Sequence, residues 1–358
     1  AFGVRPPVVE RARIRIVAQP PDPTGTDQTV CNATNPSNFL AGNIPAGNIV
    51  NWYRNVPGSP DAPGTLITSG VDMTTLNFNP ANVPGYTNNT TPGVYSVWVS
   101  YTPNVANSLN CESRKIKMSR TIRNAIPVPV PTTAPPAEIC NNNSFNIVLP
   151  NPATETFGGA TEYVFNTATG VTVGSSNANS ATYNVAVAFA PGELYVDRTI
   201  TVGRRYTTGV GCQRTRNFPI RIYNETVGGT LSNFPDVCEG TSVGPITLSG
   251  HLGTITGWQV EVNGGGFVAY TGPASGNSIT PGLLSDGLYR FRAILDNGPC
   301  NTVFSSIETV NVTDNPTPPT AGSDQAFCGS LVSAAQNATL PGGASGTWSY
   351  VSSVPSGR

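Results

Sequence analysis

Lysine is nearly missing from this chain of 358 residues: Lys115 and Lys117 are the only two. Histidine is rarer still, with His251 alone. Charged residues make up 11%, against roughly a quarter in ordinary soluble domains. Each scarcity excludes something. A net charge of −1 gives no bulk attraction to nucleic acid or to an anionic membrane. A single histidine rules out a His-rich zinc site. A Ser–His–Asp or Cys–His site would have to use His251, which lies in "LSGHLGTITGW" and reads as an exposed turn residue. The cysteines show no CxxC spacing, which removes thiolate zinc and thioredoxin-like chemistry. No catalytic residue, cofactor site or metal site is expected.

Longer features are missing too. No Leu/Ala/Glu/Lys-rich runs support long helices. No apolar run approaches the roughly 18 residues of a membrane-spanning helix, so membrane insertion is not expected. The first residues show no charged segment followed by an apolar one, so no signal peptide is expected and the chain reads as a mature protein or a piece of one. "NGGGF" at 263–267 lacks the following helix and Lys-Ser/Thr pair of a phosphate loop and reads as a hairpin turn. Asp22, Asp27, Asp314 and Asp324 flank linkers but match no calcium-loop spacing, so they read as solvated carboxylates.

What is present is strand chemistry in a repeating frame. Glycine (38) and proline (33) are abundant, and Val, Ile, Thr and Tyr dominate the apolar runs. "DQTVC" ends at Cys31, "AEIC" at Cys140, "PDVC" at Cys238 and "DQAFC" at Cys328, spaced 109, 98 and 90 apart. Each follows a Pro/Gly/Thr-rich stretch that reads as a short stiff linker. Trp52, Trp258 and Trp348 lie 21, 20 and 20 residues after their unit's first cysteine, and Tyr163 stands near the same place in the second unit. All four are expected to be core aromatics of a sandwich. "PGVYSVWVSYT" and "DGLYRFRAIL" alternate with period two. One face carries Tyr95, Val97, Val99 and Tyr101, the other case Tyr289, Phe291, Ala293 and Leu295.

The frame predicts an all-β chain of tandem β-sandwich domains in an elongated array, one disulfide per domain. Residues 1–20 read as the closing strand of a preceding repeat plus a linker. Repeats follow at 21–125, 126–225 and 226–315, and 316–358 begins a further, truncated one. Cys111, Cys212 and Cys300 fall late in the three full units, so the expected bridges are Cys31–Cys111, Cys140–Cys212 and Cys238–Cys300, with Cys328 unpaired. Loops of that size would remove on the order of 4 kcal/mol of unfolded-state entropy each. Disulfides place the chain in an oxidising, extracellular space. Arginines and lysines near the unit ends, among them Arg120, Arg123 and Arg204, are expected on outer faces as protection for edge strands.

A family resemblance rests on particular stretches: a "VC" opening, "GWQVEVNGGGF" with Trp258 before a Gly-rich hairpin, "GLYRFRAILDNGPC", a closing "IETVNV", and "PPTAGSDQAFCGS…ATLPGGASGTWSY". They resemble the immunoglobulin-like repeats of giant cell-surface proteins of Bacteroidetes, including gliding-motility adhesins of the SprB type and other cargo of the type IX secretion system. The resemblance is looser in the first and second units; after Trp52 "RNVPGSPDAPG" replaces the Gly-rich hairpin. It implies secretion to the cell surface and a stalk or filament role in adhesion or gliding, with no catalytic residue. Expected partners are other repeats of the same or neighbouring chains, and surface polysaccharide. Two alternatives stay open: a carbohydrate-binding region of a secreted multidomain enzyme, and a self-polymerising subunit that exchanges the strand at 11–18.

Overall fold

The computed structural model describes residues 14–32, 38–56, 59–76, 91–105, 111–208, 212–323, 337–342 and 344–349. All of its regular elements are strands. A first set comprises β1 (Gln28–Val30), β2 (Phe39–Leu40), β3 (Ile49–Val56), β4 (Ser59–Val71), β5 (Thr75–Leu76), β6 (Gly93–Thr102) and β7 (Ile116–Ile122). A second comprises β8 (Glu138–Cys140), β9 (Ser144–Val148), β10 (Thr161–Phe165), β11 (Val171–Ser176), β12 (Ser180–Val185), β13 (Tyr195–Tyr206) and β14 (Gln213–Tyr223). The third opens with β15 (Thr230–Leu231), β16 (Val237–Cys238), β17 (Ser242–Val243), β18 (Ile246–Ser249), β19 (Thr254–Val262) and β20 (Val268–Ala269). It continues with β21 (Ala274–Ser275), β22 (Ser278–Ile279), β23 (Gly282–Leu283), β24 (Gly287–Asp296), β25 (Val303–Phe304) and β26 (Glu308–Thr313).

Strand order repeats from set to set. The larger sheets run β1-β7-β6-β3-β4, β10-β13-β14-β8 and β16-β26-β24-β19-β20, the last with β25 on β24. They face the smaller sheets β2-β5, β11-β12-β9 and β15-β18-β22-β21. In each large sheet the closing strand (β7, β14, β26) lies between a short opening strand (β1, β8, β16) and the long strand before it (β6, β13, β24). This is the Greek-key order of an immunoglobulin-like sandwich. β1 runs parallel to β7, with Val30 opposite Ile122, and β16 runs parallel to β26, with Cys238 opposite Thr313.

Alternation builds the cores. Trp52, Val97, Val99, Met118 and Ile122 are buried with Phe39 and Leu76 from the facing sheet. Trp258, Phe291, Ala293, Leu295, Val310 and Val312 do the same with Val243, Ile246 and Leu248. The second sandwich takes its core aromatics from the smaller sheet, where Phe145 and Tyr183 stack at 5.3 Å. Tyr163 is only half-buried, which corrects the sequence expectation. Trp348 is corrected as well: it is 66% exposed. Around it the described residues of 316–358 form one bridge, Thr320 to Thr339, and that places no second sheet over the ring. "NGGGF" makes the expected hairpin. Val260 pairs with Val268 across it, and within the loop Asn263 and Gly264, at φ of 48° and 78°, form a type I′ turn closed by the Gly265 N–H on Val262 O at 3.0 Å. Of the expected closing strand at 11–18, residues 11–13 lie outside the described residues and 14–18 carry no strand. Ile14 and Ile16 are 89% and 91% exposed.

By backbone contact the chain divides into two compact units. One is Ala1–Ala137, Asn142–Ala188 and Asp197–Arg221, and the other is Glu138–Asn141, Phe189–Val196 and Ile222–Arg358. The first therefore holds the meeting of the first and second sandwiches. The other holds the third sandwich together with the end of the second that meets it.

Burial has a consequence for alkaline stability. It pushes the Tyr183 hydroxyl up to about 12, while the phenol donates to the Asn166 carbonyl at 3.2 Å. A raised folded-state value favours the neutral form. That contribution is complete below the unfolded value of about 10 and fades as pH rises from about 10 towards 12. In an alkaline titration the β-sheet circular dichroism should fall in that window as the last tyrosinate absorbance appears. Full tyrosinate absorbance with an unchanged sheet signal would show that Tyr183 ionises without opening the core.

Candidate functional site at the stapled junctions

The described residues hold two disulfides, and neither is one of the expected bridges. Cys31 bonds Cys212, with Cα atoms 5.5 Å apart and a sequence separation of 181. Cys140 bonds Cys300, with Cα atoms 5.0 Å apart and a separation of 160. Cys111 and Cys238 are thiols, and Cys328 lies outside the described residues. The parallel opening strand explains the correction. Cys31 follows Val30, which sits opposite Ile122 at the end of the closing strand. Cys111 precedes Ile116, where that strand begins. Six residue steps of about 3.3 Å put about 20 Å between those levels, and a disulfide spans a Cα separation of only about 4.4–6.8 Å. Cys238 and Cys300 are separated the same way along β26. An opening-strand cysteine therefore stands where the chain leaves its sandwich. It meets the last turn of the next sandwich, the turn that precedes the closing strand.

Around Cys31–Cys212 the contacts are apolar and aromatic. Ile126, Tyr206 and Cys212 form a buried cluster with Cys31 packed against it. Tyr206 ends the long strand β13. Its hydroxyl donates to the Asn124 carbonyl at 2.8 Å, and the Arg123 guanidinium lies 4.5 Å above its ring. Burial raises the Tyr206 pKa, with Glu155 adding to the shift and Arg123 and Arg204 opposing it. Gly158 passes beneath this ring so closely that any Cβ would collide with it. A cavity of about 270 Å³ remains between Cys31, Asn124, Ile126, Cys212 and Arg214.

Around Cys140–Cys300 the contacts are polar. Asn297, 4% exposed, follows the last residue of β24. Its Nδ2 donates to the carbonyls of Leu194 and Asn224, both at 2.9 Å. Asn224 returns two bonds, from its N–H to Leu194 O at 2.9 Å and from Nδ2 to Glu193 O at 3.2 Å. The Cys300 sulfur lies 3.2 Å from Asn224 O; a disulfide sulfur carries no proton, so this is a contact and not a hydrogen bond. Gly298, at φ 56°, lies against Tyr223, where a Cβ would stand 2.5 Å from the ring. The buried Asn297 side chain thus satisfies its amide protons on two carbonyls of the preceding sandwich.

Arg114, Arg205, Arg214 and Arg216 are exposed as expected, but three of the basic residues are corrected. Arg120, Arg123 and Arg204 are 0%, 6% and 7% exposed, not on outer faces. Period two explains two of them. Met118, Arg120 and Ile122 share the inward face of β7, and Ile200, Val202, Arg204 and Tyr206 share that of β13. Arg120 donates from Nε to Gln28 Oε1 at 2.9 Å and lies 4.7 Å over the Phe39 ring. Arg204 donates to Thr161 Oγ1 at 3.1 Å and pairs with Glu155 at 3.2 Å.

His251 sits between β18 and β19, half-buried. Among the described residues no three or more of His, Cys, Asp and Glu gather as a metal site would require. Asp27 Oδ1 accepts from the Ser119 N–H at 2.7 Å, a structural use of a linker carboxylate. On the third sandwich Arg292 lies 3.8 Å from both the Phe267 and the Phe304 rings. Its guanidinium occupies one face of each of these rings.

A family model described as a domain of unknown function (DUF8696) matches residues 227–314, the stretch of the third sandwich. No curated protein matches the chain. Among solved structures the chain is similar to a three-immunoglobulin-domain segment of titin, an E-to-A variant. The identity is 10%, the coverage 82% of this chain and 99% of that one, and the TM-score 0.41. It is also similar to a mouse cadherin-23 fragment, with 12% identity, coverages of 81% and 96%, and a TM-score of 0.31. The human desmocollin-1 ectodomain follows at 9% identity, coverages of 86% and 62%, and a TM-score of 0.29. The immunoglobulin-like assignment rests on the strand order of the three sandwiches themselves.

Proposed function

We propose that the chain is a load-bearing stalk or filament segment of an extracellular adhesin, built from repeats at 21–125, 126–225 and 226–315 with a further one beginning at 316. The observation that carries this reading is the covalent staple at each described junction. Domains joined only by a linker and a small polar interface move against each other by default. Here a disulfide and hydrogen bonds from the buried Tyr206 to Asn124 or the buried Asn297 to Asn224 oppose that motion, which suits a molecule that must hold distance under tension. The disulfides favour an oxidising compartment and hence secretion. Together with the resemblance to Bacteroidetes repeats, they make a bacterial cell-surface adhesin, serving adhesion or gliding, the specific form of the reading, with type IX secretion as its export route. Its partners are other repeats of the same or neighbouring chains, with surface polysaccharide as a second class. No step of catalysis is assigned.

The test is electron microscopy of material shed from the native cell surface, labelled with an antibody to residues 226–315. Long thin strings labelled at few positions are expected. Label confined to compact particles would sink the stalk reading and favour a secreted enzyme.

A further inference from the structure

Both staples obey one rule: the cysteine at or just after the end of an opening strand bonds the last-turn cysteine of the following sandwich. Hydrogen-bond register shows that the third sandwich repeats the first half of that joint. The Asn141 N–H donates to Tyr223 O at 2.8 Å, and the Glu239 N–H donates to Thr313 O at 2.8 Å. Cys140 and Cys238 therefore occupy equivalent places, as do Asn224 and Asp314. At the first place the joint is complete: Cys140 bonds Cys300, and the Asn224 carbonyl accepts from Asn297. At the second, the Cys238 thiol is exposed and Asp314 stands exposed beside it. Asn315 Nδ2 holds the turn after Cys238 in place by donating to Glu239 O at 2.7 Å.

We propose that the end of the third sandwich carrying Cys238 and Asp314 is a docking face for a further immunoglobulin-like repeat of the same chain. That repeat supplies a last-turn cysteine to Cys238 and a buried side-chain donor to the Asp314 carbonyl. Two thiols lose two protons and two electrons to a disulfide-bearing oxidant, which leaves as its dithiol through a mixed-disulfide exchange. Chain direction favours a following repeat over a second copy. Gln19, in the segment entering the first sandwich, donates from Nε2 to Glu112 O at 3.3 Å, next to the last-turn Cys111. The entrance of a sandwich thus lies beside its last turn, and the exit of β26 delivers the chain to that turn of whatever repeat follows. The inference rests on the joint geometry and not on the stalk reading.

The test is disulfide mapping of the full-length protein. Thiols are alkylated on intact cells, the protein is digested with pepsin at low pH to suppress exchange, and the peptides are read by mass spectrometry. The expected result is Cys238 linked to a last-turn cysteine of the next repeat and not to its opening Cys328, with Cys31–Cys212 and Cys140–Cys300 recovered beside it. Cys238→Ser should then expose that partner cysteine to alkylation and raise proteolysis within 314–323 several-fold. Cys238 recovered alkylated, bonded to Cys300, or bonded to Cys111 of a second copy would each overturn the proposal.

Discussion

Pulled from its two ends, the oxidised chain will extend to less than half the length reached after reduction. The two staples overlap, one joining 31 to 212 and the other 140 to 300. A taut covalent path crosses from 31 to 212, returns along the backbone to 140, and crosses again to 300. About 160 residues then bear the load, or about 560 Å at about 3.5 Å per residue, against about 1,250 Å for the reduced chain. Single-molecule force spectroscopy with and without reductant reads both limits. Equal limits would mean that the staples do not form in solution.

Cys212→Ser should destabilise the first unit severely, whereas Cys111→Ser should leave it nearly unchanged. The lost cross-link closes a separation of 181 residues, worth about 5 kcal/mol of chain entropy in the loop-closure account. In a unit of this size that is a fall in Tm of roughly 10–20 °C. Cys111 makes no bridge, and substitutions of that kind stay within about 0.5 kcal/mol. Thermal unfolding followed by circular dichroism separates the two variants. The same contrast decides the pairing: were Cys31 joined to Cys111, Cys111→Ser would be the damaging change and Cys212→Ser would spare Cys31.

Much of the sandwich was legible because its signals are local. Trp52, Trp258 and the run Phe291–Ala293–Leu295 lie in the core as period-two alternation and their spacing from a cysteine indicate. The disulfide partners were not legible. Pairing depends on which end of the sandwich each cysteine occupies, and that depends on β1 and β16 running parallel to β7 and β26, a non-local fact. Two cysteines in each full unit and their short spacing point to neighbours along the chain, and those neighbours stand at opposite ends of one sandwich. Arg120 and Arg204 lay within reach of the sequence: each keeps phase with buried neighbours, Met118 and Ile122 for one, Val202 and Tyr206 for the other. Their charge suggested solvent, while the ring of Phe39 and the carboxylate of Glu155 receive them inside. Asn297 carried no signal of its own, because its role appears only when Leu194 and Asn224 come to it from the preceding sandwich.

The overlap of the two bridges also governs what damage the molecule tolerates. One backbone cut between 31 and 212 leaves its two new ends joined through Cys31–Cys212, and one between 140 and 300 leaves them joined through Cys140–Cys300. A single protease nick anywhere from residue 31 to residue 300 therefore severs no connection, and between 140 and 212 the break is spanned twice. Loop tips are where such nicks concentrate, so the stretch survives as one piece injuries that would divide a string of separately bridged domains at its linkers.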